Sequence, residues 1–418
     1  MQVSCSTSSR KELWSSYDKY EAVTKKLMKN HTHSQHIIVQ AKKVLKPSID
    51  VQLVDKKPMI FSFFSGAGFL DLGFEDAGFE IAFVNEIHKP FLCGYEHSRK
   101  KLGLPAPIHG YYGGDVNDLL NGEQAKLLYQ YVVNARDDRR LVGFIGGPPC
   151  PDFSMGGKNR GKEGDNGKLS KTFIDLICKQ RPDFFIFENV KGLYRTSRHR
   201  EFFEILKLKL KKAGYRCSER LINAIEYGAP QDRERIILFG VHASSIRSDP
   251  TTFNWLSHAK YCDRKAFEFN WPSVSPVAFK RRQPKAIPIK LTVKHWFDAN
   301  DVDNHPNAKH QFKPRAGLAR FNTVYEGDDS KKSYKRLHRW RYSPTAAYGN
   351  NEVHIHPWLP RRISVAEALA IQSLPKEFEL PGSMTLSNMF KTVGNGVPYL
   401  AALGIAKAIK EFLQREEK

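Results

Sequence analysis

Apolar and polar positions along this chain fall into short alternating blocks from Met59 onward. Met59–Ile60–Phe61–Ser62–Phe63–Phe64 reads as a buried strand that breaks into a glycine-rich turn. The spacing predicts a helix over Leu70 to Ala77 and a second strand over Ile81 to Asn85, ending in Glu86. A helix near Pro90–Lys101 follows, then a loop that closes at Gly114–Asp115. Further helices are predicted at Gln124 to Asn134, Leu169 to Lys179 and Phe202 to Lys212. Strands are predicted at Leu141 to Ile145, Phe184 to Phe187, Tyr215 to Ala224 and Arg235 to Val241.

Strand, turn and helix repeat in this way over nearly two hundred residues. The pattern implies an α/β fold: a doubly wound, mostly parallel sheet with helices on both faces, which binds ligands at the C-terminal ends of its strands. Regularity is lost from about His242 to Ser343, where Pro, His, aromatic and basic residues crowd together, and this stretch reads as a smaller irregular lobe. Helix returns at Val365 to Gln372, with Ser364 and Glu367 spaced as a capping box, and again from about Val397 to the C-terminus. The expected divisions are 1–57, a polar extension of unknown role with a candidate helix at Trp14 to Met28; 58–241, the main domain; 242–380, the lobe and its following helix; and 381–418, the last helix.

Charge narrows the class of partner. The chain carries 66 Lys and Arg against 44 Asp and Glu, a formal net charge of +22. An excess of this size implies an anionic partner, nucleic acid first. No apolar run approaches the roughly 20 residues needed to span a bilayer, and the N-terminus has no signal-peptide core. The expected location is therefore cytoplasmic, at the nucleoid. Six scattered cysteines without a CxxC pair suggest neither a zinc site nor a disulfide framework. Cys93, Cys178 and Cys217 read as small buried hydrophobes.

Three successive strand ends carry a glycine turn, an acid and a second acid. In Phe64–Ser65–Gly66–Ala67–Gly68 the glycines let backbone amides approach a ligand closely. The third glycine of a pyrophosphate-binding G-x-G-x-x-G turn is missing, as suits a ligand whose tail is an amino acid. Glu86 lies at the spacing where an acid takes a ribose hydroxyl pair, and Asp115 can accept from an adenine amine. Together these residues indicate an adenosine cofactor.

The next two strand ends carry a thiol and a carboxyl group. Gly146–Gly147–Pro148–Pro149–Cys150 fixes a constrained backbone path that ends on the thiol, as a nucleophile needs. Glu188–Asn189 ends the neighbouring strand. The pair suits addition of a thiolate to carbon 6 of cytosine, because an acid at N3 neutralises the charge that builds up in the ring. Gln231–Asp232–Arg233–Glu234–Arg235 presents alternating arginines. One is expected to hold the base O2, and both to favour the Cys150 thiolate. Met155 to Gly167, with five glycines and the bases Lys158 and Arg160, reads as a lid over a nucleotide.

These residues resemble the DNA (cytosine-5)-methyltransferase family of bacterial restriction–modification systems. Phe64–Ser65–Gly66–Ala67–Gly68 is similar to its first motif, and Gly147–Pro148–Pro149–Cys150 to its nucleophile motif. Glu188–Asn189–Val190 and Gln231-x-Arg233-x-Arg235 are similar to two more. Arg361-x-Ile363–Ser364 with Glu367 and Gln372 is similar to the ninth motif, and Gly394–Asn395–Gly396–Val397–Pro398 to the last. All six stand in the family's order. The resemblance implies a Rossmann-like methyltransferase domain with a target-recognition lobe, and a last helix that returns to the main domain. It implies catalysis by Cys150, Glu188, Arg233 and Arg235. For S-adenosylmethionine it implies a site built from Phe64, Ser65, Gly66, Gly68, Glu86, Ile87, Asp115, Val116, Pro148, Asn395 and Val397. It implies double-stranded DNA as partner, contacted through Lys158, Arg160, Arg339 and Arg341, with the enzyme acting as a monomer beside a cognate restriction endonuclease. The chain departs from the family's pattern at Phe69, Ile87, Pro151 and Ala366. An RNA cytosine-5 methyltransferase, a DNA-binding regulator and a small-molecule dehydrogenase are the rival readings. Intact Cys150, Glu188 and Arg235 speak against the regulator. The incomplete glycine pattern and the charge speak against the dehydrogenase.

Overall fold

The computed structural model describes residues 56–149, 165–278, 280–314, 317–331, 333–346, 348 and 353–415. Among these residues seven strands form one mixed sheet in the order β3-β2-β1-β4-β5-β7-β6. The strands are β1 (Met59–Phe63), β2 (Glu80–Asn85), β3 (Tyr111–Tyr112), β4 (Val142–Gly146), β5 (Phe184–Val190), β6 (Tyr215–Asn223) and β7 (Glu234–His242). Neighbours from β3 through β5 pair in parallel, and β7 runs antiparallel between β5 and β6. The expected sheet is present, with the two-residue β3 added. Met59–Phe63 is buried along its whole length, because a central parallel strand is covered on both faces and so reads as a continuous apolar run. Two cross-strand pairs fit a glycine under an aromatic ring. Gly143 lies beside Phe184 and Gly240 beside Phe185, and a Cβ on either glycine would come within 2.3 Å of the ring.

Helices cover both faces. One face packs Phe61, Phe63, Phe144 and Phe187 under Leu128 of α3 (Gly122–Asp137), Phe173 of α4 (Asp165–Gln180) and Leu206 of α6 (Ser197–Lys212). The other packs Ile60, Ile145, Ile186 and Phe239 under Phe74 of α1 (Phe69–Asp76), Tyr95 of α2 (Lys89–Lys101) and Ile405 of α11 (Tyr399–Gln414). A short helix, α5 (Lys191–Arg195), follows β5 directly. The last helix lies against the first: a Cβ on Gly73 would stand 2.6 Å from the Ala402 Cβ, and Tyr399 donates to Asp76 at 2.6 Å.

Between His242 and Ser343 the described chain is mostly loop and 3-10 turn, with two short α-helices, α7 (Val293–Ala299) and α8 (Leu318–Thr323). A third apolar cluster joins this stretch to the rest, through Leu72, Val293, Leu337, Leu369 and Phe390. Helix α9 (Val365–Ile371) opens on the expected box: Glu367 N donates to Ser364 Oγ, and Ser364 N donates to Glu367 Oε2. Arg361 pairs with the same carboxylate. Helix α10 (Leu386–Asn395) was not anticipated, although Leu386, Met389, Phe390 and Val393 have helical spacing. Among the described cysteines Cys178 and Cys217 are partly buried and free. Cys93 is exposed, which corrects the expectation of a buried residue. The Trp14–Met28 helix expectation lies outside the described residues.

Candidate active site

The sheet order sets the site. After β3, β2, β1 and β4 come, in turn, Asp115, Glu86, the Phe64–Gly68 turn and Gly147, and Glu188 lies within β5, two residues before its C-terminal end. Strands lie about 4.8 Å apart, so five neighbouring strand ends span roughly 20 Å, a length suited to a nucleoside with an extended tail and a base beyond it.

The turn after β1 is tightly shaped. Gly66 and Gly68 have φ of 58° and 85°, and Phe64, with a side chain, also has φ 55°. Left-handed backbone is costly for a bulky residue and concentrates at functional sites. A Cβ on Gly68 would stand 2.5 Å from the Tyr95 ring, so only glycine fits. Tyr95 in turn donates to the buried Asp71, which also accepts from Ser62. Burial pushes the Asp71 carboxyl up to about 6, against the two hydrogen bonds that lower it.

Glu86 closes the turn from β2. One oxygen accepts from Gly66 N at 2.9 Å and the other from His88 N at 2.8 Å. Burial pushes this carboxyl up, and the two backbone bonds oppose the shift. Its neighbour Ile87 is 58% exposed, an apolar side chain left uncovered beside a polar turn. Asn85 ties β2 to the next loop by donating to Tyr112 O and Gly114 O. Asp115 caps the turn Val116–Leu119, with one oxygen accepting from Asn117 N and Nδ2. Val116 and Val397 are buried, and Asn395 is exposed at the end of α10.

Three buried polar atoms near this turn have no hydrogen-bond partner among the described residues: Ser65 Oγ, His88 Nδ1 and Thr392 Oγ1. Buried polar atoms are rarely left so, and Thr392 Oγ1 faces Gly66, where an added Cβ would stand 3.7 Å away. The residues fit a polar, adenosine-bearing ligand.

After β4, Pro148 is buried and Pro149 exposed. Cys150, Pro151, Lys158 and Arg160 lie outside the described residues. Glu188 lies against Gly147, where an added Cβ would stand 2.7 Å from Glu188 Oε2. Asn189 Nδ2 donates to Pro148 O at 3.5 Å. Arg235 Nε lies 3.0 Å from Glu188 Oε1. Burial raises the Glu188 carboxyl, while the charges of Arg235 and then Arg233 draw it back. A carboxyl so raised holds its proton more readily than a free glutamate does.

Comparison with known proteins decides the family. The profile of the C-5 cytosine-specific DNA methylases matches residues 59–411. The chain belongs to the C-5 cytosine-specific DNA methylase family. It is 61% identical over 369 residues to the Type II methyltransferase M.NmeDI of Neisseria meningitidis serogroup C, covering 88% of this chain and 86% of that one. It is 30% identical to M.FnuDI of Fusobacterium nucleatum, covering 86% and 96%. Among solved structures, the S. pombe Dnmt2 methyltransferase shares the fold, with TM-score 0.56 and 12% identity over 86% of this chain and 99% of that one. The chain is thus a DNA cytosine-5 methyltransferase, and its chemistry is that of S-adenosylmethionine-dependent enzymes.

Within this methylase two expected contacts take a different place. Arg233 was expected at the base or the thiol. It is 1% exposed and donates to Ala346 O and Gly394 O, at 2.9 and 2.8 Å. With Gln231, which is bonded to Ile371 O, Gln372 and Ala346 N, it stitches the start of β7 to α9, α10 and the chain near 346. Arg339 was expected on DNA. It is 3% exposed and its guanidinium is committed to Glu326, at 2.8 Å from Nε and 3.1 Å from Nη2, so it braces the lobe. Arg341 is partly exposed, beside Tyr342. Phe69 packs edge-on against Phe378 and presses on Gly396, where a Cβ would stand 2.1 Å from its ring. The bulk at 69 is therefore matched by a glycine in the last motif. Among the described residues no helix is long and apolar enough to cross a membrane.

Proposed function

We propose that this methyltransferase acts on duplex DNA at a specific sequence and methylates carbon 5 of a cytosine turned out of the helix, through a covalent bond from Cys150 Sγ to carbon 6. The observation that carries the reading is the Glu188 carboxyl group standing against Gly147, three residues before Cys150 in the chain. A stacked base cannot meet groups recessed at strand ends, so the nucleotide must leave the stack, at a cost of a few kcal/mol.

Phe64, Ser65, Gly66, Gly68, Glu86, Ile87, Asp115, Val116, Pro148, Asn395 and Val397 would hold S-adenosylmethionine along the ends of β3, β2 and β1. Bound there, it supplies an electrophilic methyl group to carbon 5. The protein's own groups do the rest. Cys150 adds as thiolate to carbon 6 and breaks the 5,6 double bond. Glu188, whose carboxyl burial raises against the pull of Arg235, would give a proton to N3 and so neutralise the ring as the thiolate adds. Arg235 restrains the Glu188 carboxyl group and would hold the base O2. A base, such as water, then removes the carbon-5 proton. The 5,6 double bond re-forms, the thiolate leaves, and N3 returns its proton to Glu188.

Lys158, Arg160 and Arg341 would contact DNA. Because the bacterial relatives are named Type II methyltransferases, the same reading makes this chain the protecting partner of a restriction endonuclease of the same specificity, acting as a monomer in the cytoplasm.

Labelled S-adenosylmethionine, offered with duplex DNA or with tRNA, tests the substrate. Transfer to duplex in one sequence context is expected, with none to tRNA. Duplex carrying 5-fluorocytosine should trap a covalent adduct at Cys150, and Cys150→Ser should abolish both transfer and adduct. Glu188→Gln should transfer orders of magnitude more slowly and still bind cofactor. Full activity in Cys150→Ser would overturn the mechanism.

A further inference from the structure

Thr392 has no role in the reading above, and its surroundings give it one. It lies in the last turn of α10, is 2% exposed, and its hydroxyl has no hydrogen-bond partner among the described residues. A buried hydroxyl left unpaired costs on the order of 1–3 kcal/mol, and a threonine inside a helix can usually relieve this by bonding a carbonyl one turn back. Here the hydroxyl makes no such bond. A Cβ built on Gly66 would stand 3.7 Å from Thr392 Oγ1, so the hydroxyl lies over the left-handed glycine of the β1 turn. Ser65 Oγ, the adjacent residue's hydroxyl, is also buried and unpartnered. A strand-end turn and a helix thus each carry an unsatisfied hydroxyl, and that of Thr392 faces the residue next to Ser65.

The sheet order indicates which part of a ligand reaches that place. Glu86 and Asp115 stand after β2 and β3, on one side of the turn, and the reacting strand end of β4 stands on the other. With the nucleoside at the two acids, the amino-acid tail lies at the β1 turn. A carboxylate there is an acceptor that a threonine hydroxyl can satisfy with a charge-assisted bond. Resting on the cofactor reading proposed above, we infer that Thr392 is a further cofactor-binding residue, whose hydroxyl donates to the carboxylate of the amino-acid end of S-adenosylmethionine.

Binding to the full-length protein, measured by titration calorimetry, tests this. S-adenosylhomocysteine carries the amino-acid end, and 5′-methylthioadenosine lacks it. Thr392→Val keeps the shape and removes the hydroxyl, and Thr392→Ser restores it. Thr392→Val is expected to weaken S-adenosylhomocysteine about tenfold, to leave 5′-methylthioadenosine unchanged, and to be rescued in Thr392→Ser. An equal loss for both ligands, or affinity for S-adenosylhomocysteine within twofold of the parent, would overturn the inference while leaving the cofactor reading intact. Should Thr392→Val fail to fold, Thr392→Ser and Thr392→Ala carry the same comparison. A parent protein that bound neither ligand would remove the cofactor reading itself, and this inference with it.

Discussion

Glu188 shows how surroundings change the chemistry of one side chain. In solution a glutamate is ionised at neutral pH. Here it is 8% exposed, and burial raises its carboxyl while Arg235 holds it in place. The absence of a side chain at Gly147 leaves room for it. Gly147→Ala would put a methyl group 2.7 Å from Oε2 and displace the carboxyl group. Transfer is expected to fall at least tenfold with a thermal midpoint within a few degrees of the parent, measured by initial rates and calorimetry. Asp71 is the second such residue. Its carboxyl is pushed from an ordinary 3.8 to about 6, so the native state holds this proton more tightly than the unfolded chain does. Its favourable contribution is complete below 3.8 and is lost as pH rises through about 6, a change of roughly 3 kcal/mol at about 1.4 kcal/mol per unit. Relative to Asp71→Asn, the parent should therefore lose about that much stability between pH 4 and pH 7, read by denaturant unfolding. A difference that stayed constant with pH would mean that Asp71 keeps an ordinary carboxyl.

At the scale of elements, the QxRxR segment is the joint of the molecule. Arg233 was read from the sequence as a base or thiol contact, and the fold makes it a cross-brace between β7 and the carbonyls of Ala346 and Gly394. Truncating a buried, hydrogen-bonded charge strands its acceptors, and typically costs about 3–5 kcal/mol. Arg233→Ala should therefore lower the unfolding midpoint by several degrees and reduce cofactor and DNA binding together. Arg235→Ala, which frees Glu188, should reduce the transfer rate more than the stability. If the two variants had the same profile, the division of labour between these arginines would be wrong. The alternation along the segment is the cause: in an extended strand successive odd residues share a face, and burial then separates one arginine from the next by where the strand enters the sheet.

At the scale of the whole molecule, the +22 net charge governs association. Phosphate contacts release counterions, so affinity for any duplex should fall linearly on a log–log plot against salt, by roughly a thousandfold between 50 and 200 mM if six or more phosphates are neutralised. Filter binding or fluorescence anisotropy on cognate and unrelated duplexes measures it. A salt-independent affinity would exclude the basic surface as the source of binding.

The order of strands and helices from Met59 to His242 was legible in the sequence, because apolar periodicity and glycine punctuation are local and repeat. So were the strand-end residues Glu86, Asp115 and Glu188, which sit where such sheets place ligands. Helix α10 was missed beside a helix of weaker pattern, and β3 was too short to leave a period. The roles of Arg233 and Arg339 were decided only by tertiary structure. Both are arginines in basic, polar stretches, and nothing local distinguishes one turned to solvent from one buried on a carbonyl or on Glu326. The same holds for Thr392 and for the match between Phe69 and Gly396. Each depends on a partner hundreds of residues away in the chain, brought within a few ångströms by the return of the C-terminal helices to the sheet. Local pattern fixes which elements form, and packing fixes which side chains meet.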